Sequence, residues 1–464
     1  MKIEQLYTKC LAQGAYYIES EGEVAIIDPL RETEPYLKMA AENNAKIKYI
    51  FETHFHADFV SGHVDLAKKT GATIVFGPTA QTGFDSHIAT DNEEFKIGKL
   101  TIKVLHTPGH TLESSTYLLL DKNGKEHAIF SGDTLFIGDV GRPDLAVKSD
   151  LTEKDLAGML FDSLRNKIMP LPNEVIVYPA HGAGSACGKN MSNETFDTLG
   201  HQKEVNYALQ NMTKEEFISE VTAGILPPPQ YFPKNAMINK SGSESVDEVM
   251  AKGNTPLGLS EFRMHMKSGA LVLDTREAQE FAKGFVPNSI NIGIKGSFAV
   301  WLGTVVENLN QPIVLIADEG TEEEVVLRSS RVGYDNIVGF LDGGFQTWKS
   351  AGEKVDAIES ISAGEFASRT GERTILDVRK PSEFEAEHVE KAKSFPLDFI
   401  NEKLDTLDKN KEYFVHCAGG YRSMIASSIL KANGFNKIVE VAGGMGAILQ
   451  TNAPVTAYVC PSTL

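Results

Sequence analysis

The sequence predicts an α/β protein of several domains, and three observations predict it. Short β-rich runs alternate with helix-forming stretches from the N-terminus onward. A proline-rich interval around residues 225–255 interrupts that alternation, and the remainder repeats itself at an interval of about 100 residues. The length, 464 residues, is about three times the usual single-domain length of roughly 150, which allows two to four domains, each with its own core.

Residues 16–29 read as two strands turning at Ser20-Glu21-Gly22, and residues 47–53 as a β-rich run that ends just before the first histidine motif. Residues 64–70 are a helix stopped by Gly71, and residues 73–76 open another strand. Strands at 100–105, 115–120 and 128–131 follow, the last two joined at Lys122-Asn123-Gly124. A short buried strand at 175–178 ends at Pro179. The histidines therefore fall at strand ends and in the loops behind them.

From residue 225 the character changes. Pro227-Pro228-Pro229, Pro233 and Ser241-Gly242-Ser243 lack sustained periodicity, the composition of an extended connector. Beyond it, Leu273-Asp274-Thr275-Arg276 with Glu280-Phe281 recurs as Leu376-Asp377-Val378-Arg379 with Glu383-Phe384, and Gly343-Gly344 recurs as Gly443-Gly444. Ordered matches at offsets of 100 to 103 residues indicate a duplicated α/β domain. The expected domains are 1–240, a linker at 241–256, then the two copies at 257–356 and 357–464.

Composition sets the class. A net charge of −18, with 42% hydrophobic and 23% charged residues, is that of a globular chain without a nucleic-acid or anionic-membrane surface. Four scattered cysteines, Cys10, Cys187, Cys417 and Cys460, make no disulfide framework. The N-terminus carries acids early, and the longest apolar runs are strand-length. A reducing cytoplasm is the expected location, with neither export nor membrane insertion.

Nine of the twelve histidines lie in the first 201 residues. The strongest motif is Thr53-His54-Phe55-His56-Ala57-Asp58-Phe59, in which His54, His56 and Asp58 alternate and so can point to one side of an extended segment. Thr107-Pro108-Gly109-His110-Thr111 puts a histidine in a Pro-Gly turn, Ser131-Gly132-Asp133 puts a carboxylate after a buried strand, and Pro179-Ala180-His181-Gly182 adds a fourth element. His63, His87, His106, His127 and His201 fit no such element and are expected on the surface or satisfied in the core.

This series of elements resembles the metallo-β-lactamase superfamily over residues 1–240, which implies an αββα sandwich. Binuclear hydrolases of that superfamily, glyoxalase II among them, carry a histidine directly after the motif aspartate. Phe59 stands there and cannot ligate, so one metal is expected rather than two. The domain is most similar to the persulfide dioxygenases, and that resemblance implies one Fe(II) per chain held by His54, His110 and Asp133, a facial triad suited to dioxygen chemistry. It also implies that His56, Asp58 and His181 orient those ligands; the residues alone leave His56 inside or outside the ligand set. Arg142, in Gly141-Arg142-Pro143-Asp144, is read either as a cation for an anionic substrate or as one half of an ion pair, and Cys187, shortly after His181, either as an inert buried thiol or as a sulfur relay beside the substrate.

The last copy contains Phe414-Val415-His416-Cys417-Ala418-Gly419-Gly420-Tyr421-Arg422-Ser423 ahead of a helix-forming run. A strand that delivers a cysteine into a Gly loop at a helix N-terminus stabilises a thiolate, and converging amides cradle anionic sulfur. The stretch resembles the active-site loop of rhodanese sulfurtransferases. By that resemblance Cys417 is the nucleophile, Arg422 holds thiosulfate or another anion, Gly419, Gly420 and Tyr421 line the substrate, and Asp377 and Arg379 belong to the accompanying motif. The first copy has no cysteine, and its loop Asp318-Glu319-Gly320-Thr321-Glu322-Glu323-Glu324 is acidic, so it is expected to be an inactive scaffold or subunit interface.

Together these resemblances imply an iron-dependent dioxygenase that oxidises a low-molecular-weight persulfide to sulfite, coupled to a sulfurtransferase that makes or uses thiosulfate in sulfide detoxification. The alternatives are a binuclear thioester hydrolase fused to a sulfurtransferase, and a non-catalytic persulfide carrier or sensor. A homo-oligomer is expected.

Overall fold

The protein is described from a computed structural model covering residues 1–146, 151–369 and 374–460. It forms two compact units, one of Met1–Val246 with Ser330–Gly333, the other of the remaining residues from Asp247 onward.

The first unit contains two six-stranded sheets. One runs in chain order through Lys2–Thr8, Gln13–Ser20, Glu23–Ile27, Lys46–Phe51, Thr73–Phe76 and His87–Ile88, antiparallel over its first three strands and parallel thereafter. The other has the order Asp197–Thr198, Ile176–Pro179, Glu126–Gly132, Ser115–Leu120, Leu100–His106, Glu94–Ile97. Strand residues alternate between faces, and here both faces are covered. Tyr16, Ile18, Ala25, Ile27 and Phe51 pack inward against Tyr117, Leu119 and Phe130 of the opposite sheet. Their neighbours Ala15, Tyr17, Val24, Ile26 and Ile50 pack outward with Tyr36, Ala40 and Leu66, residues of the helices Glu34–Glu42 and His63–Thr70. The second sheet buries its outer face against the helices Glu153–Ser163 and Lys214–Thr222 through Leu118, Ile129, Leu160 and Phe217. This is the four-layer αββα sandwich. Gly71, left-handed at φ 71°, ends the helix His63–Thr70.

The expected connector is largely helical, which corrects the sequence reading. Phe232–Ser241 is a helix with Pro233 in its first turn, where a missing N–H costs nothing, and Gly242 caps its end. Its buried side chains include Asn235 and Asn239, so no apolar period announces it. Val246–Gly253 is a further helix inside the expected linker, with Val246 and Val249 buried.

The second unit contains two five-stranded parallel sheets of one topology. The first has the order Pro256–Leu257, Ile337–Leu341, Ile313–Ile316, Leu271–Asp274, Ile290–Asn291. The second repeats it as Glu359–Ile361, Ile438–Val441, Tyr413–His416, Thr374–Asp377, Lys393–Ser394. Identical strand order is what the repeated motifs require. In both copies the Asp-x-Arg motif folds on itself: Arg276 pairs with Asp274 and Arg379 with Asp377, each at 2.6 Å through Nη2.

Candidate metal centre and thiol loop

The metal candidates gather where four strands of the first unit end, His110 in the turn after Leu100–His106. The strand Lys46–Phe51 delivers residues 52–58, Glu126–Gly132 delivers Asp133, and Ile176–Pro179 delivers His181. Asp28, at the end of its own strand, accepts from the backbone N–H of Thr53 at 2.7 Å and from Thr53 Oγ1 at 2.8 Å, which fixes the start of the loop.

Ligand atoms of His54, His110 and Asp133 lie within 4.8 Å of one another, and all three residues are buried. His54 Nε2 is 3.8 Å and His110 Nε2 is 3.4 Å from Asp133 Oδ2. The other ring nitrogens are engaged. Thr53 Oγ1 spends its proton on Asp28, so His54 Nδ1 donates to it at 3.0 Å, and His110 Nδ1 donates to the Arg142 carbonyl at 2.9 Å. Both imidazoles are thereby held with Nε2 free to ligate. Asp133 Oδ2 is buried without a hydrogen-bond partner. Two free imidazole lone pairs facing an orphaned carboxylate oxygen fit a metal ion. Burial and the neighbouring His56 keep His54 well below its ordinary protonation range, so it is a neutral donor. Burial opposes the charge of Asp133, but the His181 imidazole, through its charge and its hydrogen bond, holds the carboxyl far below the usual range.

His181 stands between two carboxylates, its Nδ1 2.8 Å from Asp133 Oδ1 and its Nε2 2.8 Å from Asp58 Oδ2. His56 Nε2 lies 3.1 Å from Asp28 and 3.6 Å from Glu52. His63, expected to be incidental, is buried with Nδ1 3.1 Å from Glu52. His56, Asp58 and His181 also bring donor atoms within 4.8 Å of one another. Phe59, fully buried, packs on the His56 ring with centroids 4.4 Å apart.

Two expected participants need correction or refinement. Arg142 is not a free cation: Nε and Nη2 grip Asp144 at 2.6 and 2.7 Å, and the Ala186 and Leu226 carbonyls take further donors. Its carbonyl, not its charge, serves the centre. Cys187 is buried beside Asp133 and His181, and burial, reinforced by Asp58 and Asp133, pushes its thiol well above the ordinary range. It is a protonated thiol at the centre's edge.

One clamp was invisible to sequence reasoning. Asn239, on the helix Phe232–Ser241, donates through Nδ2 to the carbonyls of His56 and Phe59 at 2.7 Å each and accepts from the Ser61 N–H at 2.8 Å. It ties down both sides of the histidine loop from about 180 residues away.

In the second unit, Cys417 follows the strand Tyr413–His416 and precedes the helix Tyr421–Ala432. The Gly420 N–H donates to Cys417 Sγ at 3.1 Å, and Gly420 has φ 101°, a conformation that favours glycine. A Cβ on Gly444 would collide with the Cys417 carbonyl, which is why the Gly-Gly pair accompanies the loop. Gly419 has open space around it. Arg422 forms a two-pronged pair with Glu383, at 2.6 and 2.8 Å, so its charge is compensated in the resting loop. Tyr421, expected to line substrate, makes a contact with the first copy. Its hydroxyl donates to the Gly293 carbonyl of the first copy at 2.7 Å, and its ring abuts Gly296. In the first copy Ala317 replaces the cysteine, and a cleft of about 690 Å³ there is edged by Asp318, Glu319 and Glu322.

The fold has solved counterparts. A metallo-β-lactamase from Staphylococcus aureus subsp. aureus COL superposes with a TM-score of 0.65 at 31% identity, covering 74% of this chain and 98% of that one. The metallo-beta-lactamase superfamily profile matches residues 9–181. The chain belongs to the metallo-β-lactamase superfamily. Two rhodanese-like domains follow, matched over residues 259–351 and 362–451. Within the superfamily, a probable hydroxyacylglutathione hydrolase of Schizosaccharomyces pombe is 33% identical over 166 residues, 35% of this chain. The match spans 60% of that hydrolase's length. The human mitochondrial persulfide dioxygenase ETHE1 is 29% identical over 210 residues, 45% of this chain and 74% of that protein. Among the described residues no helix is long and apolar enough to cross a membrane.

Proposed function

We propose that this superfamily member oxidises a low-molecular-weight persulfide to sulfite with dioxygen, using one Fe(II) per chain, and that Cys417 carries sulfane sulfur to make or use thiosulfate. The donor set carries the reading: Nε2 of His54, Nε2 of His110 and Oδ2 of Asp133 converge as two imidazoles and one carboxylate, the ligand type suited to non-haem Fe(II) with open positions. When bound, that ion supplies the activation of dioxygen that no side chain here provides. The side chains hold the geometry. Thr53 and the Arg142 carbonyl fix the two imidazoles, His181 orients the Asp133 carboxylate, and Phe59 puts an apolar ring where a further ligand would be needed for a second ion.

The chemistry balances without another oxidant. Persulfide, dioxygen and water give thiol and sulfite; a second persulfide hands its outer sulfur to Cys417, and sulfite takes it as thiosulfate. Joining the two steps in one chain raises the effective concentration of the intermediate. We assign residues 1–240 to the oxidation, 257–356 to a thiol-less scaffold and 357–464 to sulfur transfer. The likeness to the human persulfide dioxygenase supports the oxidation, and the rhodanese-like matches support the sulfur transfer. The test is metal analysis with dioxygen uptake. One iron per chain and uptake on adding persulfide are expected, with Cys417→Ala keeping the uptake and losing thiosulfate formation; an iron-loaded protein without uptake ends the proposal.

A second reading, a binuclear thioester hydrolase, is favoured by the donors of His56, Asp58 and His181 and by the hydroxyacylglutathione hydrolase relative. Two metal ions per chain and thioester hydrolysis would establish it.

A further inference from the structure

The hydrogen-bond chain behind Cys417 continues into the protein. Cys417 Sγ lies 3.5 Å from Ser423 Oγ, aligned to donate to it, and Ser423 Oγ donates to Glu440 Oε1 at 2.7 Å. Glu440, fully buried on the strand Ile438–Val441, accepts through Oε2 from Ser360 at 2.7 Å and from Gln279 Nε2 at 3.2 Å. Gln279 comes from the first copy. The groups that face the carboxyl are therefore the hydroxyls of Ser423 and Ser360, the Gln279 amide and, through Ser423, the thiol. Among the described residues no cation pairs with Glu440, and burial raises its carboxyl above the usual range.

The first copy provides an internal comparison. In the second copy Val415 pairs with Glu440, and in the first Leu315 pairs with Phe340. Ala317, Glu323 and Phe340 thus stand where Cys417, Ser423 and Glu440 stand. All members of the chain are absent together where the thiol is absent.

We propose that Glu440 is the proton acceptor for Cys417, acting through Ser423, with Gln279 of the thiol-less copy holding the carboxyl in place. As the thiolate forms, the S–H bond breaks and its proton passes to Ser423 Oγ. The Ser423 hydroxyl proton in turn forms the new O–H bond on Glu440 Oε1. No electrons change hands, and the single negative charge moves from carboxylate to sulfur. Glu440 does not touch the sulfur, so it is a positioning residue that stores a proton.

The proposal rests on Cys417 being the nucleophile, but its test does not use sulfur transfer. The thiolate absorbance of the full-length protein, taken against Cys417→Ser, is followed from about pH 5 to about pH 10. When two sites share one proton, the fraction on each is constant between the two macroscopic titrations. The wild type is therefore expected to show a partial thiolate plateau and a second rise. Glu440→Gln, which keeps the shape but cannot take the proton, is expected to lose the plateau and titrate in one step. Ser423→Ala should do the same, and it carries the test if Glu440→Gln fails to fold. A single step in the wild type, or a plateau that survives both substitutions, overturns the proposal. Failure of the nucleophile reading would appear separately, as absence of a Cys417 persulfide by mass spectrometry after treatment with thiosulfate.

Discussion

The imidazole of His181 and the carboxylate of Asp133 meet at 2.8 Å, Nδ1 to Oδ1, while the carboxylate's other oxygen faces His54 and His110. Asp133 is thus split between a positioning contact and a ligand position, and His181 is in turn fixed by Asp58. Removing the positioning partner frees the carboxylate to rotate and leaves Asp58 without its imidazole. His181→Gln is expected to weaken metal binding about 10- to 100-fold, the usual cost of losing such a partner. Competition with a chelator of known affinity measures it.

Gly141 lies against the same centre. A Cβ there would collide with the Asp133 backbone carbonyl and come within 3.0 Å of His110 Nδ1, the nitrogen that donates to Arg142. Neither neighbour can yield without moving a ligand. Gly141→Ala is expected to cost about 1–3 kcal/mol, the range for an overpacked core. Metal content should fall with it. Thermal melts and elemental analysis on one preparation check both.

Tyr421 separates two roles. Its hydroxyl is committed to the Gly293 carbonyl, so Tyr421→Phe removes one partly buried hydrogen bond between the two copies and leaves the thiol loop alone. The expected loss is about 1 kcal/mol in denaturant unfolding, with KM for thiosulfate unchanged. A raised KM would return Tyr421 to the substrate side.

What the sequence revealed and what it hid follow from how far each interaction reaches. His54, His56 and Asp58 lie on one short loop, and Cys417 through Gly420 run from strand to helix without a gap, so local pattern displays them. Arg142, Tyr421 and Arg422 were legible as residue types but not as partners. A guanidinium in the sequence does not disclose the carboxylate that neutralises it, two residues away for Asp144 and 39 away for Glu383. Asn239 and Glu440 are polar residues facing inward, which hides their elements from an apolar period and their partners from any local motif. The sandwich was legible through the family resemblance that the His54, His110, Asp133 and His181 elements carry, and the strand-length runs of the sequence agree with it. The helix Phe232–Ser241 was not, because its first turn contains a proline and its inner face carries asparagines.

The pair of Arg422 and Glu383 yields a prediction in both activity and stability. Glu383 competes with an incoming anion for the guanidinium, so Glu383→Gln is expected to lower KM for thiosulfate several-fold with little change in kcat. Burial opposes the charge of Glu383, yet Arg422 holds its carboxyl below the ordinary range. A carboxyl depressed on folding stabilises the protein above its unfolded titration, about pH 4.3. That contribution disappears as pH falls through the lower folded value. The partly exposed pair is worth no more than about 1 kcal/mol. Wild type should therefore exceed Glu383→Gln in denaturant stability by that margin at neutral pH, and the gap should close in acid. A gap that persists or widens in acid would mean that Glu383 stabilises the loop through its shape and not through its charge.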